Sequence, residues 1–164
     1  MYTVRRVHST PTNGGCGVAV RFCLFAIWRG AEPAAAFEER LARVAAATPG
    51  LAAALVHTPD TASDPFLNDG PPPALALQLY FDSLPVLEAA AARDGPLQPL
   101  ADPSLWSEPP DVEHQAMLVR AFEVPEPGAA GCTYLVAYEG PAEDPHAWLA
   151  AYLDHHPAMM ATLP

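Results

Sequence analysis

The chain has 164 residues, eight arginines, no lysine and a formal net charge of −11. This length suffices for one ordinary domain with its own hydrophobic core. Because so few cations cannot neutralise phosphates, the composition excludes nucleic acid as a partner and disfavours an anionic membrane surface. No apolar run approaches the ~20 residues that a membrane-spanning helix needs.

The N-terminal residues do not follow the pattern of a secretory signal peptide. Polar turn residues at 10–15 separate the basic pair Arg5-Arg6 from the first apolar run, whereas a signal peptide places its apolar core directly after the charge. Cys16, Cys23 and Cys132 are an odd number with no CxxC pair, which argues against a disulfide framework or a thiolate zinc site. We therefore expect a cytoplasmic protein with buried, reduced thiols.

The order of hydrophobic periodicities predicts an α+β fold. After an N-terminal arm at 1–17, the expected elements are a strand over 18–29, a helix over 33–49, strands over 51–57 and 74–81, a helix over 83–95 and a strand over 114–124. Turn-rich segments at 58–73 and 96–110 separate them. This β-α-β-β-α-β order predicts a ferredoxin-like unit over 18–124, whose helices cover one face of the sheet.

The pattern then restarts, which predicts that residues 132–164 are the start, one strand and one helix, of a second ferredoxin-like unit that is truncated. A strand is expected over 133–139, and Asp144-Pro145 is expected to begin a helix. The spacing Phe37-x3-Leu41-x7-Pro49 in the first helix recurs as Tyr152-x3-His156-x7-Pro164 in the second. The second copy is shorter, so we expect either that the sequence is a fragment of a longer protein or that a second chain covers the open edge and apolar face of this copy in a homodimer.

Trp148, Tyr152 and His156 lie four residues apart and so share one side of the second helix. The first helix carries apolar residues at the corresponding positions, which favours a functional role for the tyrosine and the histidine. An imidazole can transfer a proton near neutral pH, and Tyr152 can bind the same substrate oxygen. The structural alternative is that His156 caps a helix broken by Pro157 and that Trp148 anchors the core.

The run Tyr152-Leu-Asp-His-His156, with Pro157 and then Leu163-Pro164, resembles the helix signature of the EthD-like proteins of the dimeric α/β-barrel superfamily. The expected strand beginning at Tyr134 and the strand and helix at 74–95 are similar to other elements of that family. The resemblance implies a barrel of ferredoxin-like units around a ligand cavity. It implies a cofactor-independent isomerase, cyclase or monooxygenase for a hydrophobic, aromatic or polyketide-like molecule. His156 and Tyr152 would be catalytic, and Trp148, Met160 and Tyr134 would contact the substrate.

Other classes of function remain open or are disfavoured. The protein could instead be a non-catalytic binder of small ligands or an assembly module, and some barrels of this superfamily ligate haem through a helix histidine. A metal site from His146, His155 and His156 is disfavoured because adjacent histidines on a helix diverge. Neither a helix-opening glycine-rich phosphate loop nor a GxSxG elbow is present.

Overall fold

The computed structural model describes residues 2–9, 21–59, 72–119, 132–133 and 142–160. The strands are β1 (Tyr2–Ser9), β2 (Arg21–Arg29), β3 (Leu51–Pro59), β4 (Leu75–Phe81), β5 (Asp111–Val119) and β6 (Cys132–Thr133). The helices are α1 (Ala36–Ala47), α2 (Leu84–Ala91) and α3 (Pro145–Met160), with 3-10 turns at Gln98–Ala101 and Pro103–Leu105. Of the described residues, the strands with α1 and α2 belong to one compact unit and α3 to another.

The six strands form one sheet in the order β5-β2-β4-β3-β1-β6, and every neighbouring pair is antiparallel. Helix α1 connects β2 to β3, and α2 lies between β4 and β5. The predicted α+β class is therefore confirmed. None of the described helices has the length and apolar character that crossing a bilayer requires.

Alternation along the strands divides the sheet into a helix side, which faces α1 and α2, and an opposite face. On β4, the side chains of Leu75, Leu77, Leu79 and Phe81 are buried in the main hydrophobic core, whereas Gln78 lies on the opposite face. The same alternation on β2 places Ala26 and Trp28 in that core. The core therefore fills the space between the sheet and its helices.

Helix α1 packs as its sequence predicts. Phe37, Leu41 and Val44 form the buried stripe, and the Thr48 hydroxyl donates to the Val44 carbonyl at 2.7 Å as the helix ends. Gly50 follows with a φ of 71°, and a Cβ there would lie 2.6 Å from Val86 Cγ1. Both the backbone conformation and the close approach of α2 require glycine at this turn.

Several elements differ from those predicted. The arm at 1–17 contains β1, which pairs with β3 through a bulge between Arg6 and His8 and also pairs with β6. Strand β5 begins at Asp111 rather than His114. Of the strand expected over 133–139, only Thr133 is described, and the remainder lies outside the described residues.

Helix α3 does not break at Pro157, contrary to the alternative in which His156 caps a helix end. The helix continues to Met160 with Pro157 inside it. Proline lacks an N–H, so one intrahelical bond to the Leu153 carbonyl is lost. The following residues still extend the helix, because the proline lies close to its end. The predicted N-terminus of helix α3 is confirmed, since the Asp144 side chain accepts a hydrogen bond from the Ala147 amide at 2.9 Å.

Candidate functional site

A cleft of about 400 Å³ opens on the helix side of the sheet. Its floor is formed by apolar side chains of β2 and β4, including Leu24, Ala26 and Leu79. Ala91 at the end of α2 lines one side, and Val112 of β5 lines the other. The cleft exists because α2 has only eight residues and leaves the helix side of β5 uncovered.

Residues 97–106, here called segment 97–106, form the wall above this floor. The Leu97 amide donates to the Ala90 carbonyl at 3.2 Å, and Gln98 Nε2 donates to the Ala92 carbonyl at 3.1 Å. These bonds turn the chain sharply at the end of α2 and direct it back across the sheet. The segment is thus fixed to the helix that it follows.

Three aromatic rings connect this wall to the core. Trp28 and Trp106 stack with ring centroids 5.4 Å apart at 18°, and Phe37 meets Trp106 edge-to-face at 5.3 Å. Trp106 forms a β-bridge with Pro33, and the Ala34 amide donates to the Leu105 carbonyl at 2.7 Å. The two indoles line the cleft, so a rigid aromatic surface is available to a ligand.

The outer part of segment 97–106 is anchored to α1 by Asp102. One carboxylate oxygen accepts from the Ser104 amide at 2.9 Å, and the other lies 3.4 Å from Arg40 Nη1. Arg40 also donates to the Pro99 carbonyl at 3.3 Å. The Ser104 hydrogen bonds, with a smaller effect of Arg40, lower the pKa of the Asp102 carboxyl.

Two polar side chains, Gln98 and His114, also line this otherwise apolar cleft. His114 is exposed on β5 and is the one titratable side chain among the described residues of the lining. Small-molecule sites commonly combine an apolar lining with a few polar groups that orient the ligand. The arrangement therefore suits an apolar, flat molecule with one or two hydrogen-bonding atoms.

The predicted aromatic stripe is present on α3. Trp148 and Tyr152 stack at 5.3 Å and 15°, and Tyr152 and His156 stack at 4.6 Å and 19°. His155 points elsewhere, and its Nδ1 donates to the Ala151 carbonyl at 2.9 Å. Trp148 is 44% exposed, which does not fit the alternative of a core anchor.

The other two predicted ligand contacts cannot be placed against the stack. Tyr134 and the side chain of Met160 lie outside the described residues. Among the residues that the structure describes, no group of three His, Cys, Asp or Glu side chains is arranged to hold a metal ion.

A buried polar pair lies on the face of the sheet opposite α1 and α2. His57 is 1% exposed, and its Nε2 donates to Gln78 Oε1 at 2.9 Å. His57 Nδ1 has no hydrogen-bond partner in the described part of the chain. Burial lowers the pKa of His57, and the hydrogen bond to Gln78 has a smaller, opposite effect. The lowered pKa keeps the imidazole neutral.

Two further titratable groups lie on the same side of the sheet. Burial raises the pKa of the Cys23 thiol to about 12 and outweighs a hydrogen bond with the Leu79 backbone, which acts in the opposite direction. Burial, followed by the charge of Cys23, also raises the pKa of Tyr80. A thiol that stays protonated at neutral pH is a poor nucleophile, so this group is structural.

Sequence reasoning did not find the cleft, because its walls come from distant parts of the chain. The available signals were Trp106 within the proline-rich region 96–110 and the short apolar stretch of α2.

No protein family, no curated protein and no solved structure matches this chain. Function is therefore inferred from the fold and from the geometry of the cleft.

Proposed function

We propose that this protein binds a small, flat hydrophobic molecule in the cleft between segment 97–106 and strands β2, β4 and β5. The observation that supports this most directly is a cleft of about 400 Å³ lined mainly by apolar side chains and by two stacked indoles. Ligand pockets in proteins typically measure ~300–1,000 Å³, so this volume fits a compact aromatic compound. The net charge of −11 favours a neutral or cationic ligand over an anionic one.

The sheet order supports a ferredoxin-like unit as the framework of this site. In the order β5-β2-β4-β3, the strand before each helix and the strand after it are separated by one antiparallel strand. This is the split β-α-β arrangement. Membership of the EthD-like proteins is part of the proposal and depends on the resemblance around Tyr152 and His156.

Filling the cleft is expected to block binding. Ala91→Phe places a large side chain on the cleft wall, whereas Ala89→Phe makes the same change at another exposed position of α2 outside the lining. We expect Ala91→Phe to weaken binding of the neutral fluorescent probe N-phenyl-1-naphthylamine by about tenfold or more, since steric exclusion removes much of the buried apolar contact. Ala89→Phe should bind the probe like the unmodified protein.

The measurement uses probe fluorescence together with quenching of tryptophan emission. In a Trp148→Phe background, the remaining tryptophans are Trp28 and Trp106, which line the cleft. If the probe quenches tryptophan emission in that background, and if Ala91→Phe abolishes this quenching while Ala89→Phe does not, the proposed site is supported. Absence of binding, or equal loss in both phenylalanine variants, contradicts it.

A second candidate function is catalysis by α3, and the three-ring stack is the specific observation that favours it. In this proposal His156 transfers a proton, Tyr152 orients a substrate oxygen, and no metal or organic cofactor takes part. The stack fixes the phenol and the imidazole one helical turn apart, with ring centroids 4.6 Å apart. Both groups could therefore contact one substrate.

Catalysis by His156 is tested by comparing neighbouring histidines. A panel of hydroxylated aromatic and polyketide-like compounds is screened for turnover with the unmodified protein, His156→Ala and His155→Ala. We expect a loss of about 10²-fold or more in turnover for His156→Ala, the size of a general acid–base contribution, and little change for His155→Ala. Full turnover in a folded His156→Ala variant, or no turnover of any compound, removes the catalytic proposal and leaves ligand binding at the cleft unaffected.

A further inference from the structure

Gln98 gives the cleft a polar group whose direction is fixed by the backbone at the end of α2. Its side chain belongs to the cleft lining, and its Nε2 donates to the Ala92 carbonyl at 3.1 Å. A carbonyl oxygen can only accept a hydrogen bond, so the nitrogen of this amide, and not its oxygen, must face Ala92. Oε1 is therefore the atom of Gln98 that is left to accept a hydrogen bond from a ligand.

The backbone around Gln98 is held independently of its side chain. The Gln98 amide donates to the Gly95 carbonyl at 3.1 Å, and the Leu97 amide donates to the Ala90 carbonyl at 3.2 Å. Leu97 and Leu100, on either side of Gln98, are only 8% and 6% exposed. Burial of both leucines stabilises this turn without the side-chain amide. Replacing the Gln98 side chain should therefore leave the cleft wall in place.

The acceptor on Gln98 has no donor within the described part of the chain. No hydrogen bond to Oε1 is formed there. The described lining contains no arginine, and the chain contains no lysine. Arg40, which contacts the outer part of segment 97–106, is already bonded to the Pro99 carbonyl and the Asp102 carboxylate. A ligand that carries a donor would satisfy Oε1, whereas a ligand carboxylate would find no described cation in the lining.

The opposite wall of the cleft does not impose the same polarity. His114 of β5 lies opposite Ala26 of β2, which forms part of the apolar floor. A neutral imidazole has one donor nitrogen and one acceptor nitrogen, so His114 can meet either kind of ligand atom. A choice between a donor and an acceptor on the ligand is therefore made at Gln98.

We infer that the cleft prefers neutral aromatic molecules that carry an O–H or N–H group, and that Gln98 Oε1 accepts a hydrogen bond from this group. The rings of such a molecule would lie against the stacked indoles of Trp28 and Trp106. The inference rests on the proposed binding function and adds the polarity of the ligand. It makes Gln98 a specificity-determining residue.

Two naphthalene derivatives that differ at one oxygen test this preference. 2-Naphthol has an O–H donor, whereas 2-methoxynaphthalene has the same oxygen without the donor. Each compound is titrated into the protein with bound N-phenyl-1-naphthylamine, and the loss of probe fluorescence gives its dissociation constant. 2-Naphthoate, an anion at neutral pH, is titrated in the same way. We expect it to bind about tenfold more weakly than 2-naphthol, since its charge loses water without gaining a cation.

Gln98→Met is the matched variant, because methionine has a similar length and no amide. The ratio of the two dissociation constants, methyl ether over naphthol, should be about fivefold higher in the unmodified protein than in Gln98→Met, the worth of one neutral hydrogen bond. Comparing ratios cancels the contribution of the extra methyl group, which both proteins share. Gln115→Met, the same change at an exposed glutamine of β5 outside the lining, should retain the unmodified ratio.

The outcomes separate this inference from the proposed function. An unchanged or higher ratio in Gln98→Met overturns the inference, because the amide then supplies no acceptor, and leaves ligand binding at the cleft standing. A ratio that falls with His114→Leu and not with Gln98→Met also overturns it, since His114 would then recognise the donor. Binding of 2-naphthoate as tight as that of 2-naphthol overturns it as well. If neither naphthalene displaces the probe, the inference fails, and if the probe itself does not bind, the proposed function fails with it.

Discussion

Replacing Phe37 by alanine is expected to lower the free energy of unfolding by about 3–5 kcal/mol. Phe37 is 1% exposed and meets both Trp28 and Trp106 edge-to-face, with centroids 6.0 and 5.3 Å away. Truncation leaves a cavity where α1, β2 and segment 97–106 meet. Since small domains are stable by only about 5–15 kcal/mol, the variant should lose a large part of its stability. Equilibrium unfolding in urea, followed by tryptophan fluorescence, measures the change.

Arg43→Ala on the same helix is the matched control for this substitution. The Arg43 side chain is 63% exposed and lies 3.8 Å from Glu39 in a surface ion pair. Such pairs contribute little, so the expected change is within about 0.5 kcal/mol. A loss of less than about 1 kcal/mol for Phe37→Ala would mean that the aromatic cluster does not organise the core as the structure indicates.

Stability is also expected to fall as the pH drops below 6.5, the ordinary pKa of histidine, because the pKa of His57 is lowered in the folded protein. Between pH 6.5 and the folded-state pKa, the unfolded chain binds a proton that the folded chain does not. The contribution of His57 is constant above this window. Within it, the loss approaches about 1.4 kcal/mol per pH unit.

The physical reason is the burial of the His57 imidazole, which opposes its charged form. Protonation would add a second N–H to the buried ring, at an atom for which no described residue provides an acceptor. The double variant His57→Leu/Gln78→Leu removes both members of the pair, so its stability should depend less on pH over this range. Unfolding free energies measured at about pH 8 and about pH 5 give the comparison, since the first lies above the ordinary histidine pKa of 6.5 and the second below it.

The control for the pH prediction is His114→Gln, at an exposed histidine of β5. This variant should retain the pH dependence of the unmodified protein. If the double leucine variant shows the same slope as the unmodified protein, other groups cause the acid destabilisation and the role assigned to His57 is wrong.

The strands and helices of the first unit could be read from local patterns. The alternation Leu75-Ala-Leu-Gln-Leu-Tyr-Phe81 and the stripe Phe37, Leu41 and Val44 each encode one buried face, and both are present. Strand β1 was missed because Arg5-Arg6 interrupts its apolar pattern, and peripheral strands tolerate polar residues. Pro157 predicted a break, but a proline near the end of a helix removes only one hydrogen bond.

The two parts of the site differ in how far sequence could predict them. The stack of Trp148, Tyr152 and His156 follows from helical geometry alone, because residues four apart are neighbours on one helix. The cleft depends on tertiary contacts between Trp28 and Trp106, on the early end of α2 and on the turns of segment 97–106. No local pattern encodes such a combination, so the cleft could be recognised only in the structure.

The pairing of β2 with β5 has a further consequence for how the protein folds. Arg21 pairs with Val119 and Arg29 with Asp111, so this ladder closes a loop that contains α1, β3, β4 and α2. Contacts between residues so distant in sequence slow folding, because the chain entropy of the loop is lost before the contacts form. We therefore expect β5 to join the sheet late. The cleft would then be absent until β5 docks.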